Sequence, residues 1–444
     1  MLLNLRWTNL IDEIYFGITP KTLFHISHDD LDGFSCQLVT EVANNLKENM
    51  NCNMNNEKFI WSNIPIPNKL YDSLDIFFNN MRNTLREHLY ILITDLGGIS
   101  PFYLHHKLEK LRIENRREDL KIHVFIVDHH VNPTIDKMVE KDDDEYTLQR
   151  IKYREKNENR GTLFYYESNN ICIDYYSRVD DSAAKILSSL LLTSRSFKRY
   201  ASPHCKRLLS EFTYYVSLWD TGNFGFWKSN NIKEVDDQVK YNLIFNYLTQ
   251  LDKFSDAIEI YGSPTRTLFI ERMADHIVDE KSLGKFMEIY DKIAKEKLIK
   301  MNKEFDEFLN RKRVHIDFMD AYNKGTSRVY YSPGKHIDVR IPTDTILNKD
   351  ELEELKGKDI VIFEDDEDMT TYPYSPFAQL FLRNPEMNAV ITIRINKTHM
   401  GDNISFDLRC LSDNISVQKI ASANGGGGHQ KAAGFPVKKG ENNE

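Results

Sequence analysis

Short apolar runs followed at once by acidic or histidine-bearing residues recur through the first half of the chain. Leu23 to Ile26 precedes His28-Asp29-Asp30-Leu31-Asp32-Gly33, Leu89 to Ile93 precedes Thr94-Asp95, and Ile122 to Val127 precedes Asp128-His129-His130. Compact, largely apolar runs of this kind predict strands buried on both faces of a parallel sheet. Phe34, Leu38, Val39, Val42 and Leu46 fall at helical spacing, and Ala183 to Leu192 predicts another helix, capped by Asp181 or Ser182. The alternation of strands and helices reads as an α/β fold over roughly the first 225 residues. In such sheets the crevice beyond the carboxyl ends of the strands is the place for ligands, so the three polar segments are expected to converge.

The remainder reads differently. Lys141 to Asn170 is dense in charge and is expected to form an insertion or long loop outside the core. From Val239 to Arg313 the pattern is helical, with Phe286, Tyr290, Ile293, Met301, Phe305 and Phe308 on one stripe suited to core or interdomain packing. A second unit is expected from His315, with strands at Asp359 to Phe363, Ala389 to Ile395 and Ile404 to Leu411, then a helix and the run Gly425 to Gly428. Taken alone that glycine run also fits a flexible linker. The expected domains are 1–235, a helical connector over 236–314, and 315–444.

Composition narrows the class without naming a function. The 444 residues are 41% hydrophobic and 28% charged, the balance of a folded globular protein. Asn, Arg, Asp12 and Glu13 interrupt the first residues before a secretory apolar segment forms, and no later run approaches a membrane span, so a cytoplasmic protein is expected. The five cysteines are scattered and read as reduced, buried thiols. A net charge of −9 argues against coating long nucleic acid, while a short anionic substrate held by metals and local Arg or Lys remains open.

The polar segments carry the chemistry. In His28-x-Asp30-x-Asp32, alternate residues would share one side if the backbone stayed extended, and Gly33 would let the chain turn into the next helix. A carboxylate such as Asp95 at a strand mouth is costly unless paired or metal-bound, which makes it a candidate bridging ligand. Asp128-His129-His130 adds two imidazoles, one for metal and one pointing elsewhere; Asp220, after a helical stretch from Leu208 to Trp219, is either a helix-end carboxylate or a further ligand. His and Asp without thiolate suit Mn²⁺, Mg²⁺ or a similar ion. Two such ions would activate water for displacement at phosphorus, and no Walker loop or nucleophile elbow suggests another reaction.

His-x-Asp-x-Asp-Gly, a later strand-end Asp, Asp-His-His, a further Asp, and Gly425-Gly426-Gly427-Gly428-His429-Gln430-Lys431-Ala432-Ala433-Gly434 together resemble the DHH/DHHA1 phosphoesterase superfamily. Within it the motifs most resemble the nanoRNase B-type oligoribonucleases, from Phe24 to Phe435. The resemblance implies a parallel-sheet DHH domain joined by a helical connector to a smaller mixed α/β DHHA1 domain. It also implies that His28, Asp30, Asp32, Asp95, His129 and Asp220 hold two divalent ions, most suitably Mn²⁺ with Mg²⁺ or Co²⁺ as alternatives. Asp128 would support the site and His130 would meet the substrate phosphate. Arg409, Gly426, Gly427, Gly428 and His429 would bind short RNA or a small nucleotide. The family often places its first His four residues before the first Asp; here that position is Ile26, so His28 takes the part, with His25 as the weaker alternative. Linear or cyclic dinucleotides, nucleoside bisphosphates and a non-catalytic binding role are the competing expectations. Phe224, Phe226 and Trp227 are stacking or core candidates, and the helix from Lys281 to Arg311 either connects the domains or carries a homodimer contact.

Overall fold

The computed structural model describes residues 2–17, 21–28, 30–49, 59–64, 70–81, 87–130, 151–154, 160–178, 181–221, 264–279, 299, 303–332, 335–363, 374–397 and 404–437. These fall into two compact units, one holding the described residues of 2–220 and 264–279, the other 221, 299 and the described residues of 303–437.

The first unit is built on seven strands: β1 (Lys21–His28), β2 (Phe59–Ile64), β3 (His88–Thr94), β4 (Lys121–Asp128), β5 (Ile151–Arg154), β6 (Arg160–Ser168) and β7 (Ile171–Arg178). Their order is β2-β1-β3-β4-β7-β6-β5. Pairing is parallel from β2 through β7, and β6 and β5 continue it antiparallel. The helices are α1 (Leu2–Ile11), α2 (Leu31–Asn49), α3 (Leu70–Met81), α4 (Pro101–Glu114), α5 (Ala183–Thr193), α6 (Arg195–Tyr200), α7 (Pro203–Asp220) and α8 (Pro264–Asp279). Strand alternation assigns the two faces. Phe24, Ile26, Ile91, Ile93, Val124 and Ile126 pack under Leu74 and Phe77 of α3 and Leu104 and Leu108 of α4. The next residues along each strand face the other way: Phe125 meets Trp7 of α1 at 4.5 Å, and His25 meets Thr40 of α2. The expected buried parallel strands are therefore present, and Ser182 caps α5 by accepting from the Lys185 amide.

The expectation of a loop over Lys141 to Asn170 is corrected where that segment is described. Ile151–Arg154 and Arg160–Ser168 are strands, and β6 folds onto β7 through Asn169 and Asn170, at φ 48° and 65°. Two successive left-handed residues make the tight turn that matches strand twist, and Asn accepts that conformation more readily than most residues. The neighbouring charges hid the aromatic strand Leu163-Phe164-Tyr165-Tyr166.

The second unit is a six-stranded sheet in the order β14-β15-β13-β12-β11-β8, beside a hairpin of β9 and β10. The strands are β8 (Arg313–Asp317), β9 (Thr326–Ser332), β10 (Lys335–Arg340), β11 (Asp359–Phe363), β12 (Ala389–Lys397), β13 (Ile404–Cys410), β14 (Gly427–Gly428) and β15 (Ala432–Pro436). Its helices include α9 (Phe318–Lys324), α10 (Tyr374–Arg383) and α11 (Val417–Ala423). Ile360, Ile362, Ile391, Ile393, Phe406 and Leu408 fill one face, together with Val417 and Ile420 of α11. On the other face Phe363 packs with Phe381 of α10 and with Phe308. Of the expected helical stripe, Phe305 and Phe308 lie in the helix at 303–309; Phe286, Tyr290, Ile293 and Met301 are outside the described residues, as are Phe224, Phe226 and Trp227.

The glycine run is built into the sheet and is not a linker. Gly425, at φ 83°, ends α11: its amide bonds Ser422 O at 3.2 Å, while the Gly426 amide bonds Ala421 O at 2.9 Å. This 6→1 and 5→2 pair is a Schellman closure. A Cβ at Gly426 would stand 2.0 Å from Gly434 O, so β14 and β15 approach more closely than any side chain there permits.

Candidate metal centre

At the carboxyl ends of β1, β3 and β4 the chain places a cluster of acids and imidazoles. His28 is the last residue of β1. Asp30 then caps α2: its Oδ1 accepts the Gly33 amide at 3.0 Å and its backbone oxygen accepts Phe34 N–H at 3.0 Å. Asp32 consequently sits in the first helical turn. Asp30 and Asp32 are brought into the site by helix entry, a correction to the extended alternation expected for this segment. Gly33 is required for close approach, since a Cβ would fall 2.1 Å from His28 O.

Asp32 is wholly buried, and its carboxylate bonds two amides 151 and 152 residues later, Ala183 N–H at 2.6 Å and Ala184 N–H at 2.9 Å. The positive end of α5 thus holds the carboxylate in place. Asp95 follows β3 in a left-handed conformation, φ 58°, which an Asp side chain tolerates. It is 2% exposed, and its Oδ1 lies 2.8 Å from His129 Nε2. The opposite nitrogen of His129 is 3.3 Å from Asp220 Oδ2, at the end of α7. His28 Nδ1 is 2.6 Å from Asp30 Oδ2 and 3.9 Å from Asp95 Oδ2. Asp128 Oδ1 accepts from the His129 amide at 2.8 Å and faces His130 Nδ1 at 2.8 Å.

Two adjoining groups result, each with donor atoms within 4.8 Å of one another: His28, Asp30 and Asp95 in one, Asp32, His129 and Asp220 in the other. His129 also groups with Asp95, Asp128 and His130. Asp95 and His129 form the shared wall. His25, the alternative first histidine, is buried with its ring nitrogens against Thr94 and Thr40.

The electrostatics fit a cation. Burial, then the neighbouring carboxylates Asp30, Asp32 and Asp220, push Asp95 far above the carboxylate range. Burial and Asp220 push Asp32 up to about 7, and burial and Asp30 do the same for Asp220. Against burial, the hydrogen bond and charge of His28 hold Asp30 well below it. Burial and the charge of His130 depress His129, leaving a neutral ring with a lone pair for ligation. His130 behaves oppositely: burial would lower it, but Asp128 outweighs that and raises it to about 9. Asp95 Oδ2 and Asp128 Oδ2 are buried and accept no hydrogen bond among the described residues. Crowded carboxylates with an unsatisfied oxygen and a neutral imidazole are what a divalent ion relieves.

In the second unit Arg409 lies on β13 and donates Nη1–H to Leu408 O at 2.7 Å. Its neighbours across the ladders are Thr392 and Ala432. His429 follows β14 at the hairpin turn, bonding Ala432 O through its amide at 2.6 Å. Arg178 and Lys185, which both pair with Asp181 in the first unit, are marked by no local sequence pattern, and Asp181 enters the sequence reading only as a possible cap of α5.

Sequence comparison matches no family model and no curated protein. Among solved structures the chain is similar to a pGpG-specific phosphodiesterase from Vibrio cholerae, with 11% identity, 95% of this chain and 94% of that one covered, and a TM-score of 0.37. It is also similar to an exopolyphosphatase-related protein from Bacteroides fragilis, with 12% identity, coverage of 98% and 92%, and a TM-score of 0.37. RecJ from Thermus thermophilus, in complex with Mn²⁺, matches with 10% identity and a TM-score of 0.41, covering 98% of this chain and 52% of RecJ. Among the described residues no helix is long and apolar enough to cross a membrane.

Proposed function

We propose that the chain is a metal-dependent phosphodiesterase of the DHH/DHHA1 kind that degrades short oligoribonucleotides one nucleotide at a time. One observation carries the reading: two adjoining donor groups, His28/Asp30/Asp95 and Asp32/His129/Asp220, at the carboxyl ends of parallel strands. These six residues would hold two divalent ions, with Mn²⁺ suited to the mixture of imidazole and carboxylate. Bound there, the ions supply Lewis-acid activation of water and neutralise charge developing at phosphorus.

The chain's own residues divide the remaining work. Asp128 holds His130 cationic, and His130, 36% exposed, offers a charged N–H to the phosphate undergoing attack. Asp32, fixed by the α5 amides, keeps its group from rearranging. Arg409 contributes a guanidinium fork for phosphate, and Gly426, Gly427, Gly428 and His429 allow close approach by a nucleotide.

The test is Mn²⁺-dependent turnover of a panel: five-nucleotide RNA, matched DNA, a long single strand, linear and cyclic dinucleotides, and a nucleoside bisphosphate. Rapid loss of the short RNA with slow loss of the long strand is expected. A dominant rate on the cyclic dinucleotide would replace the substrate assignment, and no cleavage of any member would leave a binding module.

A further inference from the structure

A layer of buried polar side chains stands directly behind two of the strand-end ligands. Ser27 precedes His28 at the end of β1, Thr94 precedes Asp95 at the end of β3, and these two hydroxyl residues pair across the sheet. Both are fully buried, and each is held by another buried side chain. Gln37 of α2 donates Nε2–H to Ser27 Oγ at 2.8 Å, and His25 Nε2 lies 2.9 Å from Thr94 Oγ1. The other nitrogen of the His25 ring is 3.3 Å from Thr40 Oγ1, which is 2.9 Å from the hydroxyl of Tyr15 in the π-helical turn Asp12–Phe16. Tyr15, Thr40, His25 and Thr94 thus form one chain, each member at most 2% exposed. Burial pushes the His25 ring down to about 3, so it is neutral and donates through one nitrogen while accepting through the other.

Core packing does not account for an imidazole at this position. Its neighbours Leu23, Phe24 and Ile26 are apolar, and an apolar side chain would fill the space without desolvating two ring nitrogens. What the ring gains is a hold on Thr94. The next residue, Asp95, donates its amide to Val127 O at 3.0 Å, so the backbone is restrained on both sides of the Thr94–Asp95 peptide. A left-handed backbone such as that of Asp95, at φ 58°, persists where its surroundings over-determine it. Asp95 groups both with His28 and Asp30 and with Asp128, His129 and His130, so its placement sets the spacing between the two sides of the cluster.

We infer that His25 is a positioning residue of the metal centre, fixing Asp95 by holding the Thr94 hydroxyl. This inference rests on the proposed metal-dependent reading. His25 acts from behind the centre and is not a ligand; its effect passes through one hydroxyl to one carboxylate.

The experiment has two arms on the full chain: hydrogen exchange at the Asp95 amide by NMR in EDTA, and Mn²⁺ titration followed by the electron paramagnetic resonance of the free ion. Thr94→Val keeps the shape and removes the hydroxyl; exchange at Asp95 should quicken about tenfold, the loss of one hydrogen bond. Mn²⁺ affinity should fall about 10- to 100-fold, the usual effect of losing a group that orients a ligand. Thr94→Ser keeps the hydroxyl and should match the wild type in both arms. His25→Leu should reproduce Thr94→Val, and the double variant should lose no more than either alone, because both remove the same contact. Thr94→Val carries the test by itself where His25→Leu does not fold. Ser194→Ala removes the cap of α6 in the same unit, and should lower Tm while leaving both arms unchanged. Unchanged exchange or unchanged affinity in Thr94→Val, an equal loss in Thr94→Ser or Ser194→Ala, or additive losses in the double variant would each overturn the assignment. A wild type that binds no Mn²⁺ sinks the metal-dependent reading, and exchange at Asp95 then decides the positioning role alone.

Discussion

Asp95→Asn should make the metal-free protein more stable while abolishing its chemistry. Asn fits the left-handed backbone at φ 58° and has nearly the same shape, so the fold is retained. Asp95 faces three other carboxylates in a buried site. A like charge a few ångströms away costs about 3 kcal/mol at an effective dielectric of 20. Loss of the contact with His129 Nε2 returns about 1 kcal/mol, leaving a net gain of about 2 kcal/mol at pH 8. The sign follows from linkage. Asp95 has a raised folded-state pKa, as have Asp32 and Asp220 at about 7, so the folded state binds more protons than the unfolded chain. Stability from these groups is complete below the ordinary carboxylate pKa and is lost as pH rises toward and through their folded values. The advantage of the variant is therefore near zero at pH 4 and grows as pH rises above the ordinary carboxylate range. Thermal unfolding in EDTA should show a rise of about 4–8 °C at pH 8. Mn²⁺ should reverse the order, since an ion at 1,000 times its Kd adds about 4 kcal/mol to the wild type. A variant less stable than wild type at pH 8 in EDTA, or a difference independent of pH, would refute the reasoning.

Other perturbations address single contacts. Gly97→Ala places a Cβ 3.0 Å from His130 Cβ and Cγ, so turnover should drop about tenfold, the penalty for displacing a group at the reacting centre, with little change in Tm. Asp128→Asn removes the strongest of the acids that hold His130 at about 9; proton NMR of the ring should then show titration well below the wild-type value, and an unchanged midpoint would refute the role given to Asp128. Gly426→Ala cannot be accommodated against Gly434 O, and the second unit should lose about 2–3 kcal/mol, seen as faster proteolysis. Retained protease resistance would argue against the close pairing of β14 with β15.

Much of the site was legible because three ligand-bearing segments end apolar strands, and a parallel sheet brings strand ends together whatever their separation in sequence. The helix after Asp30 was equally readable from its apolar period. What escaped depended on tertiary pairing or on backbone detail. β6 was obscured by nearby charge although Asn169-Asn170 marked its turn, and Gly33 answers to a clash with His28 O that no local pattern reveals. The anchoring of Asp32 on α5 follows from the packing of elements 151 residues apart, where periodicity carries no information.

The Asp32 anchor also sets a timetable for the growing chain. Its amide partners, Ala183 and Ala184, are synthesised more than 150 residues after it. At 5–20 residues per second that interval is roughly 8–30 s on the ribosome. By its end Asp32, Asp95 and His129 have all been made, yet the helix end that fixes Asp32 does not exist. A nascent chain stopped before residue 183 therefore carries most of the acids of the cluster with nothing to hold Asp32 in register, and maturation of the centre must follow translation of α5.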